Sequence, residues 1–187
     1  MIKFLYSENS KIKLFQVSNN NSDIDVSKYA KENNLNILRI GFEQVRKNSF
    51  NTWFYQQLNY PYQYSFDYFQ IPDLQSKGEE LEKHLCKYYS ANKDGYILVH
   101  NQSHEDTYEL KNISNKDIIY ISKNSDLFNN MFYYKTLIVN AKEIHCINSS
   151  FLHLVERVKT HSKLYYHDVR NSNFELSEKW NVINYDN

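Results

Sequence analysis

The chain has very little glycine, and this excludes several familiar kinds of site. Only three of its 187 residues are glycine, Gly41, Gly78 and Gly95, and their positions cannot form the G-x-G-x-x-G signature of dinucleotide-binding folds. The sequence also contains no G-x-x-x-x-G-K-[ST], G-x-S-x-G or H-E-x-x-H. It therefore gives no support for a dinucleotide-binding enzyme, a P-loop enzyme, a nucleophilic hydrolase or a zinc protease of the common types.

An excess of one charge and a long apolar run are also missing. Lys and Arg together number 22, as do Asp and Glu, so the formal net charge is zero, which argues against nucleic acid as the main partner. The most apolar stretch, residues 127–141, contains Asn129, Asn130 and Lys135 and falls short of the roughly 20 apolar residues of a membrane span. The first residues are too polar for a signal peptide, and we expect a cytoplasmic protein without a membrane span.

Metal-binding patterns are sparse. The two cysteines, Cys86 and Cys146, share no metal-type spacing and are expected to be free thiols in a reducing compartment. His100 and His104, with Glu105 or Asp106, form a loose group in which the spacing fixes no third ligand. We therefore expect neither a bound metal nor a cofactor.

Residues 76–187 show alternating helical and strand patterns. The pattern predicts helices over 76–89 and 127–139, buried strands over 96–100, 117–121 and 143–147, a helix from residue 151 and a short strand over 163–166. Strands that are apolar throughout and alternate with helices indicate a parallel sheet. This region is predicted to be an α/β domain with a Rossmann-like parallel sheet and helices on both faces. Residues 180–185 fit no element.

Residues 1–75 are predicted to form a partial α/β segment followed by an aromatic bridge. Apolar patterns over 2–6, 12–17 and 35–40 indicate strands, and 26–32 indicates a short helix. A second helix is expected over 49–58 with Ser49 as its cap. The aromatic stretch 59–73 contains two prolines and has no clear period, so it is predicted to be irregular.

The most informative stretch is 142–158, KEIHCINSSFLHLVERV. It predicts a buried strand, a polar corner at Asn148, Ser149 and Ser150, and an amphipathic helix. Backbone N–H groups at such a corner, together with the helix dipole, attract anions, although the same residues also suit a simple helix cap. The polar loop 101–106 leaves a strand at the same edge of the sheet and adds Asn101, Gln102, Ser103 and His104 as further donors, beside the acidic Glu105 and Asp106.

Four segments resemble a group of glycosyltransferase-like proteins with the GT-B fold of fucosyl- and heptosyltransferases. These are WFYQQLNYPYQYSFDYFQIP, GYILVH with its polar loop, YYKTLIVNAKEIHCINSSF and LYYHDVR, within roughly residues 41–170. The resemblance implies that the C-terminal half, residues 76–187, binds a nucleotide-sugar donor. It also implies that Ser149, Ser150 and Phe151 lie at the donor diphosphate and face the loop from Asn101 to His104.

The chain departs from that group in two places. It opens at IKFLYSEN, which is similar to the middle of the group's N-terminal half, and its loop reads NQSHEDTY where an Arg-Gly pair is common. The resemblance implies a metal-independent glycosyltransferase that moves a sugar from a nucleotide donor to a glycan or other acceptor, and it identifies no catalytic base here. The alternative is a non-catalytic module that binds a nucleotide, a glycan or a protein. We also expect either self-association or a partner chain that supplies the remaining N-terminal half.

Overall fold

The structure is a computed structural model that describes residues 5–6, 9–18, 20–41, 50–72, 74–114, 116–171 and 176–185. The chain divides into two compact units, Met1–Tyr62 and Gln63–Asn187. Within the described residues, no helix is both long and apolar enough to cross a membrane.

The first unit contains helices and irregular chain in its described residues. Helix α1 is Ser22–Glu32 and helix α2 is Phe50–Gln57, while 12–18 and 35–41 have no regular structure. The predicted strands at 12–17 and 35–40 are therefore wrong, and 2–4, most of the first predicted strand, and Ser49 lie outside the described residues. An apolar pattern cannot make a strand without a neighbouring backbone to pair with. Phe15 instead stacks on Tyr29 of α1, with ring centroids 4.3 Å apart.

The second unit contains the parallel sheet. Its elements in chain order are α3 (Tyr64–Asp67), α4 (Gln75–Tyr89), β1 (Ile97–His100), β2 (Ile118–Tyr120), a 3-10 helix (Met131–Tyr134), α5 (Lys135–Asn140), β3 (Glu143–Cys146), α6 (Ser150–Arg157), β4 (Lys163–Asp168) and β5 (Trp180–Asn184). All five strands run parallel in the order β2-β1-β3-β4-β5. The α/β prediction is confirmed.

Three elements differ from the sequence prediction, and the first is α3 (Tyr64–Asp67), a single helical turn within the stretch 59–73 that was predicted to be irregular. The helix expected over 127–139 starts only at Met131, because the Asn130 Oδ1 accepts the Phe132 N–H at 3.2 Å and caps the 3-10 turn there. Residues 180–185, which fitted no element, contain the edge strand β5. Its Trp180 is buried and lies opposite Leu164 of β4.

The helices of this unit contact one face of the sheet. Side chains at Tyr96, Leu98 and His100 alternate onto the same face. The Tyr96 hydroxyl donates toward Glu82 Oε1 of α4 (2.8 Å) and lies 3.1 Å from the Leu137 carbonyl oxygen of α5. His100 stacks on Phe151 of α6 at 5.4 Å between ring centroids. Thus α4, α5 and α6 share a face.

The irregular connection from β1 to β2 covers the opposite face. The Lys111 N–H donates to the Tyr185 hydroxyl (2.8 Å), and that hydroxyl lies 2.7 Å from Nδ1 of His167 on β4. The described part of this connection, 101–114 and 116–117, contains no helix. The predicted arrangement of helices on both faces is therefore wrong for the described residues of this unit.

Gly78 allows α4 to pack closely against the chain near α5. A Cβ at this position would overlap the Thr136 hydroxyl and would lie 2.9 Å from Thr136 Cβ and 3.2 Å from the Tyr133 carbonyl oxygen. We expect Gly78→Ala to lower the free energy of unfolding by about 1 to 2 kcal/mol, because the helices must move apart. Urea denaturation would measure it. Gly95, where a Cβ would meet nothing within 4 Å, provides the matched control, and equal stability of the two variants would contradict the packing argument.

Candidate functional site

The strand order changes direction between β1 and β3, and we call the region beyond the carboxyl ends of these two strands the crevice. The chain leaves β1 toward β2 on one side and returns to β3 on the other side of β1. The connection after β1 goes to one face, and α6 after β3 goes to the opposite face. This is the topological switch point at which parallel α/β sheets bind their ligands.

The polar corner after β3 forms one wall of the crevice. Ser149 is the N-cap of α6, and its Oγ accepts the Leu152 N–H at 3.3 Å. Ser150, the first residue of the helix, is exposed, and Asn148 is half-buried. Helix geometry leaves the Ser150 and Phe151 N–H groups without an intrahelical acceptor, and the first turn has no acidic side chain. This corner suits an anion.

Phe151 belongs to the core below the crevice. Its side chain is 4% exposed and contacts His100 in a stack and Tyr134 edge-on, at 5.8 Å between the latter centroids. His100 Nδ1 and the Tyr134 hydroxyl are buried and have no hydrogen-bond partner among the described residues. Burial lowers the pKa of His100 to about 4, so its ring is neutral at pH 7. Burial, followed by the Asp126 charge, raises the pKa of Tyr134.

The loop after β1 folds into a small hairpin on the other side of the crevice. The Tyr108 N–H donates to the Asn101 carbonyl (2.9 Å), and Asn101 Nδ2 donates to the Tyr108 carbonyl (2.8 Å). The Ser103 Oγ accepts the Glu105 and Asp106 N–H groups at 3.2 and 2.9 Å. Asn101 and Ser103 are thus engaged within the hairpin, while the side chain of His104 is exposed at its tip.

Arg170 is a residue of this region that the sequence analysis missed. It follows β4 by two residues, and its Nε donates to the Tyr108 hydroxyl at 2.9 Å. Its guanidinium carbon lies 5.5 Å from the Tyr108 ring centroid. The hydrogen bond to Tyr108, and then the charges of Asp106 and Glu105, raise the pKa of Arg170. One feature of the sequence indicated that Arg170 could belong to the site, namely its position just after a predicted strand, at the carboxyl edge of the sheet.

The donors around the crevice fit an anion better than a cation. Main-chain N–H groups, serine hydroxyls and a guanidinium all donate hydrogen bonds. Within the described ranges, no group of three or more His, Cys, Asp or Glu side chains could hold a metal ion. His100 and His104, the pair weighed as ligands, are part of those ranges.

A buried histidine pair lies on the opposite face of the sheet. His145 Nδ1 and His167 Nε2 are 2.9 Å apart, and both residues have no exposed surface. His145 Nε2 lies 3.7 Å from the Glu143 carboxylate. A proton on that nitrogen faces the carboxylate favourably, so His167 donates to His145 and Tyr185 donates to His167. Burial is the main cause that lowers the pKa of both rings, that of His167 to about 4.

A cavity of about 750 Å³ lies at the other end of α6, away from the crevice. Its charged lining has structural roles: Lys179 Nζ donates to the Glu156 carbonyl at 2.6 Å, and Arg157 donates to the carbonyls of His153 and Ser65 at 2.9 and 3.0 Å. Cations in such places stabilise the C-terminal end of a helix. The crevice, where the Ser149-capped start of α6 and the loop after β1 lie at the same edge of the sheet, is therefore the stronger candidate site despite the size of this cavity.

The region that the sequence analysis singled out can be placed as follows. Asn148, Ser149 and Ser150 line the crevice, Phe151 lies below it, and Asn101, Ser103 and His104 belong to the hairpin on its other side. Compared with known proteins, the chain matches no family model, no curated protein and no solved structure.

Proposed function

We propose that this chain binds a nucleotide sugar by its diphosphate in the crevice between β1 and β3, and that it is a glycosyltransferase of the GT-B type. The observation that carries the proposal is the Ser149-capped start of α6 at the switch point of the sheet. The resemblance in AKEIHCINSSF covers the same corner, which supports a donor site there.

In this proposal the crevice stabilises the leaving nucleoside diphosphate. Negative charge grows on the diphosphate as the bond to the sugar breaks. The N–H groups of Ser150 and Phe151, the Ser150 hydroxyl and the helix dipole are fixed donors that favour this charge without rearranging. The proposed reaction therefore takes its charge stabilisation from the protein, and a metal ion is not part of it.

A non-catalytic binding module is the second candidate, and the hairpin favours it. Asn101 and Ser103 are occupied in hydrogen bonds within the hairpin, and Glu105 and Asp106 place two carboxylates beside it. Such a module would bind the nucleotide sugar but would not cleave the bond between the sugar and the nucleoside diphosphate. An assay for nucleoside diphosphate release from the bound sugar distinguishes the two functions.

The proposal includes a partner for the first unit, either a second copy or another chain. Large apolar side chains in its described residues are exposed, including Ile24 at 68% and Leu38 at 71%. Such surface suits a protein contact. The acceptor, a glycan or another molecule, would bind together with this partner.

A thermal-shift screen with GDP, UDP, ADP, CMP and their sugars, with and without magnesium, tests the proposal. A ligand at 100 times its dissociation constant stabilises the folded chain by about 2.7 kcal/mol. We expect one nucleotide to raise the melting temperature without magnesium. No shift with any of them would refute a nucleotide site.

A matched pair of variants then tests the corner. Ser149→Asp and Ser149→Asn both keep a good N-cap, so we expect stability within about 0.5 kcal/mol of wild type. Only aspartate adds a negative charge, and we expect it to weaken nucleotide binding at least about tenfold, or 1.4 kcal/mol, while asparagine changes it little. Titration calorimetry measures both. Equal affinities of the two variants would place the ligand elsewhere.

A further inference from the structure

Arg170 reaches across the end of β3. Two hydrogen bonds join Tyr108 to Asn101, the residue after β1: one is between the backbones, and the other is donated by the Asn101 side chain. Arg170 follows β4. In the sheet, β3 lies between β1 and β4. Neighbouring strands are about 4.8 Å apart, so the contact between Arg170 and Tyr108 spans about 10 Å over the end of β3. The strand order therefore puts the guanidinium at the same carboxyl edge of the sheet as the corner that Asn148, Ser149 and Ser150 form.

Among the described residues, the guanidinium donates a hydrogen bond only through its Nε edge. Its Nε donates to the Tyr108 hydroxyl, and that hydroxyl in turn lies 3.4 Å from Asp106 Oδ2. Nη1 and Nη2 have no acceptor among the described residues. An arginine with a fixed Nε and two open Nη groups is oriented for a bidentate contact with a phosphate.

We propose that Arg170 binds the phosphate groups of the ligand through Nη1 and Nη2 and that Tyr108 is the positioning residue that orients it. The inference rests on the proposed function, which supplies the ligand, a diphosphate. It also predicts that the site distinguishes a diphosphate from a triphosphate. Glu105 and Asp106, on the same hairpin as Tyr108, repel additional negative charge. The crevice therefore prefers a nucleoside diphosphate or nucleotide sugar to a nucleoside triphosphate.

Calorimetric titration of the full chain with inorganic pyrophosphate, at two salt concentrations, tests the role of Arg170. Arg170→Gln should weaken binding at least about tenfold and reduce its salt dependence, because a charge is lost. Arg170→Lys keeps the charge but loses the planar fork and should fall between. Lys111→Gln, at an exposed cation over the Tyr185 ring, is the control and should bind as wild type does.

The Tyr108→Phe variant tests the positioning role. It removes the hydrogen bond to Nε but no charge, so affinity should fall about threefold while the salt dependence stays as in wild type. If Tyr108 had only a structural role, Tyr108→Phe would lower the free energy of unfolding and leave the affinity for pyrophosphate unchanged. Binding of pyrophosphate to Arg170→Gln within twofold of wild type would overturn the inference, and so would the absence of binding to wild type in the millimolar range.

The outcomes separate this inference from the proposed function. If a nucleotide binds but Arg170→Gln has no effect on pyrophosphate, the donor site stands and the role of Arg170 is refuted. If pyrophosphate binds through Arg170 but no nucleotide does, the crevice is a phosphate site and the nucleotide-sugar function is refuted. A triphosphate that binds more tightly than the matching diphosphate would refute the selectivity.

Discussion

Replacing Phe151 with alanine is expected to lower the free energy of unfolding by about 3 to 4 kcal/mol. The side chain is 4% exposed and fills the space between His100 of β1 and Tyr134. Removing it leaves a cavity and also separates α6 from the sheet, which is the situation in which Phe-to-Ala changes are most costly. Chemical denaturation followed by tryptophan fluorescence would measure the loss.

The control variants for this prediction separate packing from ligand contact. Phe151→Leu keeps most of the volume and should cost less than about 1.5 kcal/mol, and Ser150→Ala at the exposed neighbouring position should cost less than about 0.5 kcal/mol. A loss below 1 kcal/mol for Phe151→Ala would show that the ring is not part of the core. That result would favour a direct contact between the Phe151 ring and the nucleotide-sugar donor.

Acid is expected to destabilise the folded chain well before its carboxylates are protonated. Burial lowers the pKa of His100 and of His167 to about 4, against about 6.5 in the unfolded chain. As the pH falls below 6.5 the unfolded chain takes up these protons first, so stability falls until about pH 4. Each ring should account for a loss of about 1 to 2 kcal/mol between pH 7.5 and pH 5.

Denaturation curves over this pH range check the prediction. His167→Gln replaces one of the two rings with a neutral side chain, so the loss of stability between pH 7.5 and pH 5 should become smaller by about 1 to 2 kcal/mol. His161→Gln, at an exposed histidine before β4, is the control and should leave the loss unchanged. An identical pH dependence for His167→Gln and wild type would contradict the assignment of a neutral, buried ring at His167.

The parallel sheet was predictable because its central strands are buried on both faces. Three of the four residues are buried in each of the runs ILVH and EIHC. Strand β5 could not be found in the same way. Only its Trp180 is buried, whereas Asn181 and Val182 are exposed, and the strand joins the sheet by backbone pairing with β4.

The first unit shows the opposite failure. The segments IKLFQV and LNILRI have the composition of strands, yet neither is a strand in the structure. Leu35 and Leu38 are 54% and 71% exposed. Composition alone does not decide whether a neighbouring backbone exists for a strand to pair with, and this is the information that a single sequence lacks.

The candidate site was predictable only in its local part. The corner at Asn148, Ser149 and Ser150 is a short-range feature, since a strand followed at once by a helix must place N–H groups there. Arg170 depends on a contact with Tyr108 across 62 residues of sequence, and the engagement of Asn101 depends on how the hairpin closes. The contact between Arg170 and Tyr108 has no local signature, because it follows from the order of strands in the sheet.

The most direct test of the account is to map nucleotide binding by NMR on ¹⁵N-labelled chain, with UDP and GDP titrated in turn. The account predicts that one of them shifts the amide signals of Ser150, Phe151 and Leu152 and the Nε–H signal of Arg170. Signals near the cavity at the far end of α6, such as that of Lys159, should stay unchanged. Shifts confined to that cavity, or no shift with either nucleotide, would contradict a donor site at the crevice.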